Sequence, residues 1–403
     1  MAIPIFRSSI YVSDFTPFSR MKTAWILFAF ALLALLTVSV AGRPGARLRK
    51  VSVNIPLLSL YIAFAAWAII ASFMHRLYVG MRPNILVSVL MIGLYYIWIR
   101  SDIYKLIITR LSRVMLAAVA CFALLSLCKI PPETWRLFSG DPAARYVGLT
   151  ANPNNMGALM AGAVMCGVFL ISCDTVRWRV AAIPLSVLCA GVLLLTESRT
   201  ALFAASAVVL LGIIAGTRQL MRKRRGSHRR AAIIAVALLF AALSTAGIVM
   251  IVKLRGANLA PDGRTDWFAF FNTISSGRAE IWREAFGRLA LWGVDPIANP
   301  LYYNGEEMLD THNIALTYAY SCGIGAGLAY LLFELCAVGA ALKRAFSRTA
   351  ADAASLFALL CVASFFLYSL FEVNIDFVRF PYMLLFAVGV APVFFRPVRN
   401  KPS

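Results

Sequence analysis

Residues 180–230 read VAAIPLSVLCAGVLLLTESRTALFAASAVVLLGIIAGTRQLMRKRRGSHRR. Two apolar runs, 180–196 and 200–216, flank a short charged connection, Glu197-Ser198-Arg199-Thr200. The second run leads into Arg218–Arg230, which holds seven Lys/Arg in thirteen residues and no acid. Each run is close to the roughly 20 apolar residues that carry an α-helix across a bilayer. In lipid every backbone N–H and C=O must be paired within the segment, so the two runs form a helical hairpin. Basic connections stay on the cytoplasmic side, which places Arg218–Arg230 inside and Glu197–Thr200 outside.

Working outward, apolar runs of the same kind fall at 24–41, 55–74, 83–99, 114–130, 155–173, 231–251, 313–341, 351–371 and 380–395. With the two above, the chain has eleven candidate spans, or twelve if Ile3–Phe18 also crosses. Of its 403 residues 61% are hydrophobic and 14% charged, and the mean hydropathy is +0.78. A soluble domain is about 25% charged, so a soluble globular enzyme is excluded. Continuous rather than alternating apolar runs exclude a β-barrel. The expected fold is an all-α polytopic membrane bundle with one long extracytoplasmic loop. Residues 1–23 form an N-terminal interfacial or spanning segment and 24–251 hold spans one to eight. Residues 252–311 form the outer loop with short helices, and 312–403 hold the last three spans and a cytoplasmic tail.

The formal net charge of +21 follows from this topology. The cytoplasmic segments carry 23 Lys/Arg against three acids (Asp102, Asp174 and Asp352), while the outer segments carry 16 against 14. The basicity is therefore an orientation signal, and no nucleic-acid partner is expected. The eight cysteines lie in or at the ends of apolar runs without a C-x-x-C, and read as small apolar packers. No metal site is expected, since His75, His228 and His312 lie in separate segments with no ligand spacing. No phosphate loop, nucleophile elbow or dinucleotide fingerprint is present, so no cofactor is expected. Glu334 is the clearest ionisable residue within a span. At 1.5 Å per residue it lies about 30 Å from His312 along one helix, which would put it near the cytoplasmic interface.

The remaining polar residues gather on the outer face. GLTANPNNMG (148–157) leads into a span with three Asn around one Pro, more amide than a helix cap needs. Ser275-Ser276-Gly277 precedes RAEIWREAFGRLALWG, which reads as a helix capped by one of the serines, with Ile281, Ala285, Leu289 and Trp292 on one face. Tyr302–Asp310 reads as an acidic loop. Thr311-His312-Asn313 opens a span that continues through GIGAGL (323–328). Each feature alone also reads as a cap, a packing device or a topology marker. Together they set arginines, a histidine and amides at the depth of a lipid headgroup. Arginine pairs bidentately with phosphate oxygens, and a histidine with pKa near 6.5 can accept a proton at neutral pH.

The order GLTANPNNMG, ESRTAL, SSGRAEIW with LWG, THNIAL and GIGAGL, from about Gly148 to Gly327, resembles the O-antigen ligase and O-antigen polymerase family. These bacterial envelope proteins are similar to GT-C-type glycosyltransferases. The resemblance implies a multi-pass protein of the bacterial cytoplasmic membrane with its active site on the extracytoplasmic side. It implies a donor glycan on undecaprenyl pyrophosphate and a glycan or glycolipid acceptor whose hydroxyl attacks the anomeric carbon without a metal. On this reading Arg199 and Arg278 hold the pyrophosphate, His312 is the general base and Asn313 positions it. Asn152 and Asn154 line the cavity, Arg145 adds positive charge, and Glu197 is a carboxylate beside Arg199. The family usually has twelve spans, one more than the eleven clear ones here. Ligase and polymerase share this donor chemistry. The competing class is a polytopic transporter or lipid flippase, which predicts charged groups at midspan.

Overall fold

The computed structural model describes residues 37, 49–75, 81–130, 145–150, 152–223, 268, 272, 275, 277–303, 305–308, 310–347, 352–373 and 381–398. The expected spans at 24–41 and 231–251 lie outside them, apart from Thr37, which is helical and accepts a hydrogen bond from the Trp98 indole (2.7 Å).

Helix α4 (Pro153–Cys173) is the centre of the bundle. It is rich in Gly, Ala and Met, so neighbouring helices approach it closely. At Gly157 an added Cβ would stand 2.7 Å from the Ser198 Cβ, so only glycine lets the start of α4 lie against the 196–198 turn. Around it pack α3 (Tyr104–Lys129), α5 (Val176–Leu195), α6 (Arg199–Lys223) and α10 (Ala353–Ser369). The second half of the described chain adds α8 (Ile314–Cys322), α9 (Ile324–Ala345), α11 (Pro381–Gly389) and α12 (Ala391–Phe394), which meet α1 (Ile55–Met74) and α2 (Met81–Arg100). Rings of Tyr61, Phe64, Tyr318, Tyr330, Phe333 and Phe394 fill that contact.

Five described helices, α1, α3, α4, α5 and α9, are long and apolar enough to cross a membrane, and four shorter apolar helices accompany them. Their outward faces carry large apolar residues, such as Phe73, Val114, Val176 and Val187. Water would penalise such a surface and lipid does not, so this is the build of a membrane protein. Helix α3 begins at Tyr104, before the expected start of its span, because Lys105, Arg110 and Arg113 continue the helix beyond its apolar part.

Of the three acids of the basic face, two pair with an arginine and the third is linked to one through a serine. Asp102 pairs with Arg49 (2.5 Å). Asp174 takes both Nε and Nη2 of Arg113 (2.7 and 2.6 Å). Asp352 accepts from Ser355 Oγ (2.6 Å), which in turn accepts from Arg344 Nε (2.8 Å). At this end β1 (Val51–Val53) pairs antiparallel with β4 (Phe395–Pro397).

Two expectations are corrected here. The span 313–341 is not one helix: Gly323, at φ +101°, breaks it into α8 and α9. The two fold back on each other, since an added Cβ at Gly327 would meet Ala315 and Ala319. Glu334 therefore does not lie a full span from His312. Its Oε2 accepts from Ser369 Oγ (3.1 Å) at the end of α10, three residues before Glu372. Residues 302–308 are not a loop throughout. β2 (Leu301–Tyr303) and β3 (Glu306–Met308) form a hairpin with Gly305 at φ +82°.

The helix after Gly277 is also shorter than its periodicity suggests. Helix α7 runs Arg278–Gly287, and Leu289 and Trp292 lie in the irregular chain that follows it. Ile281 and Ala285 face a small second core with Leu301, Leu316, Ala319 and Tyr320. Ser275 Oγ accepts from the Ala279 N–H (3.2 Å), which makes it the working cap, although Gly277 is the boundary residue. Ser276 lies outside the described residues.

Candidate functional site

Opposite the basic face, four helices begin close together. Asn152 caps α4 through its Oδ1, which accepts from the Asn154 N–H (2.7 Å), and Pro153 supplies the fixed φ of the first turn. The Asn154 amide then bridges two charged groups. Its Oδ1 accepts from Arg145 Nη2 (2.8 Å) and its Nδ2 donates to Glu372 Oε1 (2.7 Å).

Glu372 is the centre of the cluster. Arg278, the first residue of α7, sets Nη2 2.5 Å from the same Oε1. The other carboxylate oxygen, Oε2, lies 3.7 Å from His312 Nδ1. Both members of the Arg278–Glu372 pair are nearly buried, with side chains 12% and 11% exposed, so this pair is far less screened than a surface one. Arg278 Nη1 donates to the Ser275 carbonyl (2.8 Å), and its buried Nε has no partner among the described residues.

His312 sits just before α8 in a left-handed conformation, φ +52°. A non-glycine residue there is strained, and such strain collects at functional sites. Its backbone N–H donates to Asp310 Oδ1 (2.9 Å), and Trp282 Nε1 donates to the preceding Thr311 carbonyl (2.7 Å). Burial lowers the pKa of the imidazole. Glu372 and Asp310 raise it by more than burial and Arg278 take away, so it stands above its ordinary 6.5. Asn313 caps α8 through the Leu316 N–H (2.8 Å) and donates to the Leu370 carbonyl (3.0 Å), which fixes His312 against the chain that carries Glu372.

The structure thus brings Arg278, His312 and Asn154 to one carboxylate, with Arg145 joined through Asn154 and Asn313 holding His312. Asn152 serves as a cap. Glu197 and Arg199 belong to the adjoining 196–199 turn, reached by Arg145 Nε, which donates to the Thr196 carbonyl (3.1 Å). Glu197 is the second strained residue of this end, at φ +48°, and Arg199 is the first residue of α6. None of the contacts of Glu372 reaches either of them. Arg283 and Arg288 do not join the cluster: one stacks on the Phe268 ring (4.2 Å), the other pairs with Glu284 (2.5 Å).

The starts of α4, α6, α7 and α8 all lie at this end. The first N–H groups of a helix are unpaired within it and carry partial positive charge. With Arg145, Arg199 and Arg278 they make a region suited to a multiply charged anion.

Sequence reasoning missed Glu372, Asp310 and the anchoring role of Trp282. A usable signal for Glu372 existed: every residue between Asp352 and Glu372 is uncharged, so Glu372 marks a span end as Glu197 does. No protein-family model matches the chain, and no curated protein does.

Proposed function

We propose that this protein is a glycosyltransferase of the O-antigen ligase type. It transfers a glycan from undecaprenyl pyrophosphate to an acceptor hydroxyl at the outer face of the bacterial cytoplasmic membrane. The observation that carries the reading is the convergence of Arg278 and His312 on Glu372 where four helices begin. Arg278 and Arg199 bind the pyrophosphate and stabilise the charge that develops as the glycosyl bond breaks. His312 Nε2 or Nδ1 takes the proton of the attacking hydroxyl, and the carboxylates beside it stabilise the imidazolium. One inverting displacement needs no metal and no covalent intermediate. A repeat-unit polymerase of the same family shares this chemistry and differs only in its acceptor.

One observation favours the other class, a lipid or solute transporter. Glu334 is buried within α9 beside Tyr330 and Ser369, and intramembrane carboxylates commonly belong to ion pathways. The discriminating experiment is transfer by the purified protein from a synthetic undecaprenyl-pyrophosphate oligosaccharide, with EDTA present. Product from wild type and none from His312→Ala or Arg278→Ala supports the transferase. Turnover that survives in both variants sinks the site. Lipid crossing a bilayer without any transfer establishes the transporter.

A further inference from the structure

Two arginines of this chain use the same edge differently. Arg113 presents Nε and Nη2 together to Asp174. Arg278 presents Nη2 alone to Glu372, while its buried Nε has no hydrogen-bond partner among the described residues. A phosphate, with several oxygens around one centre, fits the full Nε–Nη2 edge and competes with Glu372 for the half it occupies. Glu372 has a second destination. Its Oε2 is 3.7 Å from His312 Nδ1, within ion-pair range but beyond a hydrogen bond. Its position after the last turn of α10 leaves the side chain held mainly by Arg278 and Asn154.

We propose that Glu372 exchanges partners. A phosphate oxygen that takes the Nε–Nη2 edge of Arg278 releases Glu372 to close on His312, so phosphate binding sets the proton affinity of the general base. The inference rests on the pyrophosphate reading above and adds a coupling between donor binding and base strength. Among the described residues, the charged groups that face His312 are Asp310 from its own loop, Glu372 from the end of α10 and Arg278 from the start of α7. Arg278 disfavours the imidazolium and the two carboxylates favour it. Covering Arg278 with phosphate and moving Glu372 inward therefore push in the same direction. No covalent bond changes in this step.

The chain has three histidines, so the imidazole signals of isotope-labelled protein in detergent can be followed through a pH titration, with His312→Gln giving the assignment. The probes are inorganic pyrophosphate and undecaprenyl pyrophosphate. In wild type each probe is expected to raise the His312 pKa by about half a unit or more. In Glu372→Gln the probe binds and the rise is at least halved. Glu372→Asp, which keeps the charge that balances Arg278 but retracts it by one methylene, folds even if the Gln variant does not, and gives a smaller rise than wild type. An undiminished rise in these variants overturns the exchange, because the phosphate then acts on His312 directly. Probe binding without any movement of His312 overturns the exchange and leaves the proposed function standing. Failure of both probes to bind overturns both. Binding of inorganic pyrophosphate alone keeps the exchange and removes the lipid headgroup as its source.

Discussion

Asn154 and Glu372, 218 positions apart in the chain, share a hydrogen bond of 2.7 Å between Nδ2 and Oε1. That bond ties the first turn of the central helix to the carboxylate on which Arg278 and His312 converge. Because the same amide also accepts from Arg145, one neutral side chain keeps one basic group and one acid in register.

Replacing Asn154 by Leu removes both bonds at similar volume. Hydrogen bonds to charged groups are worth about 1.5–3 kcal/mol, so under the proposed function the transfer rate at saturating donor is expected to fall roughly ten- to hundredfold. The check is initial-rate kinetics beside circular dichroism. An unchanged rate in folded protein would remove Asn154 from the site.

Arg278 and Glu372 are nearly buried together, so removing one strands the other. Each single alanine variant is expected to lose about 3–5 kcal/mol of stability. The double variant should lose clearly less than the sum of the singles. Thermal unfolding of the four proteins in one detergent measures the coupling. Additive losses would mean that the pair is not energetically joined.

The pH dependence follows from the raised pKa of His312. Stability from the charged imidazole is fully present below the unfolded value of about 6.5 and is lost as pH rises through the higher folded value. In the proposed reaction His312 acts as a general base and works in its neutral form, so activity is expected to run the other way and gain its full value only above the folded pKa. Asp310→Asn should move the acidic limb of the pH–rate profile towards lower pH. A limb that stays in place after that change would show that Asp310 does not govern the base.

Gly323 is expected to tolerate no side chain. At φ +101° an L-residue is strained, and a Cβ there would collide with the Leu291 carbonyl. Gly323→Ala should cost at least about 1–3 kcal/mol and lower the yield of folded protein. A variant with wild-type melting temperature would show that the α8–α9 break does not need this geometry.

Much of the bundle was readable because lipid imposes a simple code. The expected runs at 55–74, 83–99 and 155–173 coincide with α1, α2 and α4 to within a few residues, since apolar length alone decides them. Asn152, expected to line a cavity, is the cap of α4, and Asn313, expected to position His312, also caps α8. The break at Gly323 was hidden because hydropathy does not register a change of direction inside an apolar run. The error in the depth of Glu334 follows from it. The 301–308 hairpin carried the strong turn signal Asn304-Gly305, which the surrounding acids obscured. Glu372 escaped because its role is set by what the other half of the chain brings to it, and no local pattern encodes that.

The β1–β4 ladder has a topological consequence. Val51–Val53 and Phe395–Pro397 enclose between them nearly all the described helices, so a linear chain is closed into a ring by three residue pairs on the side away from the cluster. A single cut in a connection between helices opens that ring without creating two separate pieces, because the fragments stay joined at the ladder and through their packing. The ladder thus brings together Ser52 and Arg396, 344 positions apart, and holds α1 beside α12 from outside the helical bundle.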